Sequence, residues 1–366
     1  LLWTAALLLA LLAALCYAGR KVSDRFVQPI LALTEGVREI SGGSLDRKLS
    51  IQTGDEIEQL ADSFNQMTDA LQSYIKNLAR TTAEKEHIET ELSVAARIQT
   101  GILPKELPAR EEFELVAAMQ PAKEVGGDFY DFYFLDERRL MVTVADVSDK
   151  GVPAALFMVA TKILLKDCAL ALGSGERLSV GAQAAHPAPA PTLSHPWLSE
   201  IMARTNDRLA EANEEGMFVT VFTGVLDLGT GELVYVNAGH SPPLVRRGGR
   251  YEFLPTAKSP MLGVMEDMAF PAERLTLAPS DMLFLYTDGV TEAMNEKREL
   301  FTAARLKETV SMQPKDKTAK EILAAVRDAV DAHAGGAEPS DDVTMLGLVY
   351  HGTKQAGGNE DGRESV

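Results

Sequence analysis

Single aspartates stand at the ends of short apolar runs in this sequence, where carboxylates can meet. Asp146 ends the run Leu-Met-Val-Thr-Val-Ala-Asp, Asp288 ends Leu-Phe-Leu-Tyr-Thr-Asp, and Asp341 and Asp342 precede Val-Thr-Met-Leu. Asp128 follows two glycines, which leave room for a ligand. Several carboxylates beside buried strands are costly unless cations gather them, and four such charges balance two divalent ions. Oxygen-only ligands favour Mg²⁺ or Mn²⁺ over Zn²⁺.

The elements that must position these aspartates follow from the apolar patterns after residue 105. The patterns predict strands over 113–119, 139–147, 218–228, 232–237, 282–286 and 343–350, and helices over 152–172, 197–213, 301–312 and 318–334. Strands that come mostly in runs, with helices between the runs, predict one α+β domain over 105–351. The Pro/Ala-rich segment 173–196 is expected to be a flexible insertion, and the tail 352–366 is expected to be disordered.

The order of the motifs carries more information than any one of them. The motifs are Val-Gly-Gly-Asp-Phe-Tyr-Asp (125–131), Ala-Asp-Val-Ser-Asp-Lys-Gly-Val-Pro-Ala-Ala-Leu (145–156), Phe-Val-Thr-Val (218–221), Asn-Ala-Gly-His-Ser-Pro-Pro-Leu (237–244), Tyr-Thr-Asp-Gly-Val-Thr-Glu-Ala (286–293) and Asp-Asp-Val-Thr (341–344). This series closely resembles the bacterial branch of the metal-dependent (PPM, type 2C) serine/threonine phosphatases, typified by stage II sporulation protein E. The resemblance covers about 95–350.

The resemblance implies an α-β-β-α sandwich with a two-metal site at one end. Carried over by position, Asp128 would bridge the two metals, and Asp146 would join the acidic cluster beside the carbonyl of Val147. Asp288 and Asp341 would complete the other metal's ligands, and Asp342 is an alternative to Asp341. These aspartates would be the catalytic residues, with Mn²⁺ or Mg²⁺ bound and water attacking phosphorus directly.

Two departures from the family pattern bear on the site. Ala145 and Asp149 stand where the family has glycines. Asp149 could add a carboxylate near the metals or cap the helix that starts at Val152. The phosphate-clamping arginine of eukaryotic relatives has no obvious counterpart, and Lys123 and Lys150 are the nearby candidates.

The first 19 residues contain no charge and would reach about 28 Å as a helix, roughly the thickness of a bilayer core. We interpret them as a transmembrane helix; a signal peptide or a buried soluble helix are the alternatives. Arg20, Lys21 and Arg25 follow, which predicts the cytoplasmic (inner) membrane with the catalytic part in the cytoplasm. Because the sequence begins without Met inside the apolar run, we expect a fragment of a longer protein.

Residues 20–80 resemble a HAMP domain, through Pro29 in the first short helix and the pair Asp55-Glu56 that opens the second. In the second helix, apolar residues alternate at spacings of three and four, which predicts a coiled-coil seam. The seam residues are Ile57, Leu60, Phe64, Met67, Leu71, Tyr74 and Leu78. The resemblance implies a parallel homodimeric bundle; an ordinary helical hairpin is the alternative. The register continues through a helical linker, 81–104, which Pro104 ends.

These observations predict a membrane-associated signalling phosphatase that hydrolyses phosphoserine or phosphothreonine on a protein, regulated through the HAMP domain and linker. The alternative is a degenerate phosphatase fold that binds a phosphoprotein as a scaffold. A net charge of −17 without clustered Lys or Arg argues against a nucleic-acid partner. The family resemblance points to a phosphorylated anti-sigma-factor antagonist as substrate.

Overall fold

The computed structural model describes residues 2–105, 110–173 and 196–353 of the 366-residue chain. The predicted insertion and tail therefore lie almost entirely outside the described residues. The chain divides into two compact units, Leu1–Glu91 and Leu92–Val366.

The first unit begins with a long helical stretch. Helix α1 (Leu2–Val22), a π-helical turn (Ser23–Val27) and helix α2 (Gln28–Ser41) follow one another without a break. Its apolar part is long enough to cross a membrane, and none of that part is buried. Gly42 and Gly43 follow α2, and Gly43 has a φ of 93°.

Helix α3 (Glu56–Ile102) packs against α2 through a small apolar core of Leu33, Leu49, Ala61 and Phe64. The connector between the helices is held by Asn65, whose side-chain amide donates to the Leu49 carbonyl (2.8 Å). The Asn65 side-chain oxygen accepts from the Leu49 amide (2.9 Å). This pairing fixes the connector on α3.

The second unit contains the end of α3 and, among the described residues, ten strands and five further helices. The strands are β1 Phe113–Gln120, β2 Phe129–Phe134, β3 Arg139–Val147, β4 Val219–Asp227, β5 Glu232–Ala238, β6 Leu244–Arg247, β7 Arg250–Phe253, β8 Glu273–Thr276, β9 Met282–Tyr286 and β10 Val343–Tyr350. The helices are α4 Val152–Gly173, α5 Pro196–Glu211, α6 Asp288–Thr291, α7 Thr302–Ser311 and α8 Ala319–Ala334. One sheet has the order β1-β10-β9-β6-β7 and the other β2-β3-β4-β5-β8, with every neighbouring pair antiparallel.

Side-chain alternation along the strands builds the layers. In β3, Val142 and Val144 enter the core between the two sheets, whereas Met141 enters the core beneath α4 and α5. In β9, Leu283 enters the core between the sheets and Phe284 enters the core that α7 and α8 cover. The result is the predicted α-β-β-α sandwich.

The six strands and four helices predicted for this unit are confirmed to within two residues at each end. The sequence patterns did not predict β2, β6, β7, β8 or the short helix α6. The strand β2 starts directly after Asp128 and so belongs to the site described next.

Candidate active site

The sheet registers bring all of the predicted site aspartates to one end of the sandwich. Asp128 precedes β2 and Asp146 lies near the end of β3, and Phe129 of β2 pairs with Ala145 of β3. Asp288 follows β9, and Asp341 and Asp342 precede β10; these two strands are also antiparallel neighbours. Four segments that are distant in sequence therefore meet at one end.

Asp128 is buried, with 2% of its surface exposed, and its side chain is held by a threonine. The Thr287 hydroxyl donates to Asp128 Oδ2 (2.7 Å). Thr287 is fixed in turn, because its amide donates to the Thr344 carbonyl (3.0 Å) and its hydroxyl accepts from the Thr344 amide (3.0 Å). The sequence patterns did not single out Thr287, although its position directly before Asp288 was an available signal.

Asp342 anchors the loop that leads to Asp128. Its carboxylate accepts hydrogen bonds from the amides of Ala122 (2.8 Å) and Gly127 (2.8 Å), and a longer one from Asp128 (3.4 Å). A side chain at Gly126 would collide with this carboxylate, because a Cβ there would lie 2.0 Å from Asp342 Oδ2. Both carboxylate oxygens of Asp342 thus accept hydrogen bonds from the backbone of the 120–128 loop.

Asp341 lies beside a cation instead. Lys150 Nζ is 2.9 Å from Asp341 Oδ2 and also donates to the Ser340 carbonyl. Of the two lysines considered from the sequence, Lys150 therefore lies among the aspartates. Lys123 is exposed and makes no hydrogen bond or ion pair with the described residues.

The loop between Asp146 and α4 explains one departure from the family pattern. Asp149 has a φ of 73°, in the left-handed region where glycine is favoured and aspartate is among the better tolerated alternatives. It is exposed, and it does not directly precede α4, which begins at Val152. The helix-capping interpretation is therefore wrong.

A buried ion pair fixes α4 on the sheet. Lys162 of α4 pairs with Asp131 of β2, and both side chains are less than a tenth exposed. Burial lowers the pKa of Lys162, and the Asp131 carboxylate opposes that shift. The pair joins α4, which follows the loop after Asp146, to β2, which follows Asp128.

The aspartates raise one another's pKa. Burial, followed by the charge of Asp146, raises the pKa of Asp128 well above its usual range. Burial and the charges of Asp288 and Asp341 raise the pKa of Asp146 to about 7. For Asp288, burial and then the charges of Glu292 and Asp341 raise the pKa to about 6. This end of the sandwich is a concentration of negative charge that a cation would relieve.

The donor set fits hard divalent cations. Every candidate donor is an oxygen: the carboxylates of Asp128, Asp146, Asp288 and Asp341, and the carbonyl of the buried Val147. Within the described residues, no three His, Cys, Asp or Glu side chains converge as a formed set of metal ligands. The fit therefore rests on donor chemistry and electrostatics.

A glutamine near the end of α3 contacts the same loop and was not assigned a role from the sequence. The side-chain amide of Gln99 donates to the Gly126 carbonyl (2.6 Å), and its oxygen accepts from the Gly126 amide (3.2 Å). Gln99 is buried, with 7% of its surface exposed. The end of the linker helix is thus tied to a residue two positions before Asp128.

His240 closes a turn behind the site. Its backbone amide donates to Asn237 Oδ1 (2.7 Å), and its Nδ1 lies 2.8 Å from the Thr220 hydroxyl. Burial lowers the pKa of His240 to about 4, so the ring is neutral near pH 7. These contacts give the imidazole a structural role in the turn.

Two family models match this chain. The model for Stage II sporulation protein E (SpoIIE) matches residues 136–351, more than half of the chain, and the model for the HAMP domain matches residues 22–73. Protein IcfG from Synechocystis sp. is 31% identical over 354 residues, covering 91% of this chain and 52% of the relative. Phosphoserine phosphatase RsbU from Bacillus subtilis is 28% identical over 214 residues, covering 58% of this chain and 56% of RsbU. The chain thus spans about half the length of these relatives.

Solved structures share the fold. The SiaA-PP2C domain of Pseudomonas aeruginosa superposes with a TM-score of 0.58 at 20% identity, covering 73% of this chain and 99% of that one. The PP2C phosphatase domain of SpoIIE from Bacillus subtilis, with a fragment of its regulatory domain, gives a TM-score of 0.52 at 17% identity. That match covers 67% of this chain and 69% of the SpoIIE chain.

Proposed function

The chain belongs to the stage II sporulation protein E family, and from that premise we propose that it is a signalling phosphatase that hydrolyses phosphoserine or phosphothreonine on a protein. The observation that carries the proposal is the meeting of four aspartates from separate segments at one end of the sandwich. Burial and neighbouring carboxylates raise the pKa of three of them, Asp128, Asp146 and Asp288. A domain that only bound a phosphoprotein would gain nothing from such costly carboxylates.

The residues divide into ligands and supports. Asp128, Asp146, Asp288, Asp341 and the Val147 carbonyl would hold two divalent cations, Mn²⁺ or Mg²⁺. When bound, such cations supply positive charge to the phosphoryl group and activate water for direct attack on phosphorus.

We assign the metal-ligand role to Asp341 rather than Asp342, because the backbone of the 120–128 loop occupies the Asp342 carboxylate. Thr287 holds Asp128 in one orientation. Lys150, which pairs with Asp341, places a positive charge where the phosphate would enter.

The proposal extends to the membrane and to a second copy of the chain. The exposed apolar helix and the HAMP match support anchoring in the cytoplasmic membrane, and the positive charges of Arg20 and Lys21 support a catalytic unit on the cytoplasmic side. Exposed residues of the predicted seam, such as Leu60 and Tyr74, support a parallel homodimer through α3. Signals would then reach the phosphatase through the HAMP domain and linker.

For the substrate, we propose a phosphorylated anti-sigma-factor antagonist. The support is the family resemblance together with the relative named phosphoserine phosphatase RsbU.

The test is phosphate release from a phosphoserine protein by the full chain in lipid nanodiscs, with Mn²⁺, with Mg²⁺ and with EDTA. We expect release with either metal and none with EDTA. Asp288→Asn should abolish release, whereas Asp316→Asn, at an exposed site, should not change it. Binding of the phosphoprotein without release under any metal would favour the scaffold alternative, and a phosphoenzyme trapped by acid quench would exclude direct attack by water.

A further inference from the structure

An apolar hollow opens beside the candidate catalytic end. It has a volume of about 210 Å³ and lies between the last turns of α8, the segment after α6 and the loop before β10. Its apolar lining includes Ala293, Met294, Val330, Ala334, Ala337 and Pro339. A cavity of about 150 Å³ holds a molecule the size of benzene, so this hollow can take one large apolar side chain.

The hollow shares its wall with the candidate active site. Asp341 and Gly289 line it, and these residues belong to the two segments that carry candidate metal ligands. Successive residues of an extended peptide advance by about 3.3 Å. A peptide with its phosphorylated residue at the aspartates would therefore place a neighbouring side chain at the hollow.

A cation, Arg327, also lines the hollow. Arg327 is exposed and makes no hydrogen bond or ion pair with the described residues. It also lines a second hollow of about 210 Å³, which shares Gln120 and Val343 with the first. The two hollows adjoin at Gln120, Arg327 and Val343, and we call them together the groove. Its lining extends from Asp341 past Arg327 to the adjoining ends of β1 and β10.

The charges along the groove indicate the order of side chains in a peptide that would bind there. Asp331 and Glu338 line the first hollow and disfavour a negative side chain there. Arg327 also lines the second hollow, which contains no acidic residue. The groove therefore complements an apolar side chain near the phosphorylated residue, followed by a carboxylate farther away.

We infer that this groove binds the segment of the phosphoprotein substrate that flanks the phosphorylated residue, with one apolar side chain in the first hollow and one acidic side chain against Arg327. The inference rests on the proposed function, since it assigns substrate selection to the same site. The flexible thioether of Met294 suits a pocket that accepts apolar side chains of different shapes.

The test uses the full chain in nanodiscs with Mn²⁺ and two kinds of substrate. One is p-nitrophenyl phosphate, which reaches only the catalytic end. The other is a set of phosphoserine nonapeptides. In each peptide, Leu stands one or two residues before or after the phosphoserine, and Glu stands two residues beyond Leu on the same side. In matched peptides, Ser replaces Leu or Gln replaces Glu. We expect one Leu-Glu placement to have a kcat/KM about tenfold or more above its Ser counterpart.

Variants separate the two parts of the groove. Ala334→Phe fills the first hollow and should raise the KM for the preferred peptide about tenfold with kcat unchanged, whereas Ala332→Phe, on the same helix outside the lining, should not. Ala337→Phe, in the loop, should reproduce the Ala334→Phe effect. Arg327→Glu should abolish the preference for Glu over Gln, and Lys320→Glu, on the exposed face of α8, should leave it intact. All five variants should hydrolyse p-nitrophenyl phosphate as the wild type does.

The outcomes are distinguishable. Equal kcat/KM for all peptides, no peptide hydrolysis despite hydrolysis of p-nitrophenyl phosphate, or equal losses on both kinds of substrate in Ala334→Phe would overturn the groove assignment and leave the phosphatase intact. No hydrolysis of p-nitrophenyl phosphate by the wild type with any metal would overturn the proposed function and the groove assignment together.

Discussion

The two units of this chain differ in how far their apolar side chains are buried. In the second unit, large side chains such as Phe129, Phe222 and Phe284 are completely buried. In the first unit, the described core consists of Leu33, Leu49, Ala61 and Phe64, and much of the predicted seam faces outward. Leu60, Met67, Tyr74 and Leu78 are all more than half exposed.

The second unit covers its apolar residues within one chain, whereas the first unit leaves much of its predicted seam uncovered. Two sheets and two helical layers close the three cores of the second unit, so its aspartates are positioned by contacts within the same unit. An exposed apolar stripe with heptad spacing is stabilised only when another helix covers it. Chemistry should therefore depend on the second unit, and control should depend on the packing of the first.

The largest effect that this separation predicts is at Asp128. Asp128→Asn removes a charge from the candidate metal ligands and should lower kcat by about a thousandfold or more, which corresponds to about 4 kcal/mol of barrier. The measurement is metal-dependent phosphate release by the full chain. Because Asp128 lies outside the first unit, cross-linking of the seam in membranes should not change. A folded variant that kept a tenth of the activity would contradict the two-metal assignment.

The next effect concerns register in α3, which is one continuous helix through both the seam and the linker. Deleting Thr81–Glu84 shifts every later seam position by four residues out of the heptad pattern, whereas deleting Thr81–His87 restores the pattern after one full heptad. We expect the four-residue deletion to lock phosphatase activity high or low, at least about tenfold from the regulated range. The seven-residue deletion should leave regulation nearly unchanged.

The measurement is phosphatase activity in membranes, and the two deletions serve as controls for each other. If both had the same small effect, the linker would be a tether and the proposed relay would be wrong.

The elements themselves were largely predictable, because local patterns determine them. The strands that begin at Met282 and Val343 have the predicted bounds. The strand Phe129–Phe134 was missed because its alternation is obscured by aromatic residues and by Asp131, which is buried against Lys162. The other missed strands, β6, β7 and β8, have four residues each, too few for a periodic signal.

The site was predictable as a set of aspartates but not as a network. The choice between Asp341 and Asp342 depends on a loop more than 200 residues earlier in the chain, whose amides occupy Asp342. Gln99 was assigned no role from the sequence, whereas its side-chain amide pairs with Gly126 of that loop. Such contacts form only when the chain has folded, so spacing alone does not encode them.

A smaller effect is expected at this glutamine. Gln99→Leu leaves the buried amide and carbonyl of Gly126 without their partner, at a cost of about 1–3 kcal/mol. Because Gly126 lies two residues before Asp128, we expect a loss of activity of about tenfold with little change in secondary structure. The matched control is Thr100→Val, since the Thr100 hydroxyl is exposed and bonds only within α3. Wild-type activity in Gln99→Leu would show that the contact does not position the loop.

The smallest effect is on the pH dependence of stability, and this dependence has opposite signs in the two units. In the first unit, the Thr53 hydroxyl lowers the pKa of Asp55, so the stability that this group adds is lost as the pH falls through its lowered pKa. In the second unit, the pKa is raised to about 7 for Asp146 and to about 6 for Asp288. The stability that these two carboxyl groups contribute is fully present below 3.8, their pKa in the unfolded chain. It is lost as the pH rises through about 6 to 7.

We therefore expect the metal-free second unit to become less stable between pH 4.5 and pH 8, with its unfolding temperature falling by about 3 °C or more, or about 1 kcal/mol for a domain of this size. Differential scanning calorimetry of the full chain with EDTA measures this shift. The double variant Asp146→Asn, Asp288→Asn should flatten the dependence, because an amide does not titrate, whereas Asp316→Asn should leave it unchanged. Mn²⁺ should reverse its sign, since a cation stabilises the charged carboxylates that repel one another without it. If the metal-free unit were instead most stable at pH 8, the aspartates would not be close enough to raise one another's pKa, and the contrast with the first unit would be lost.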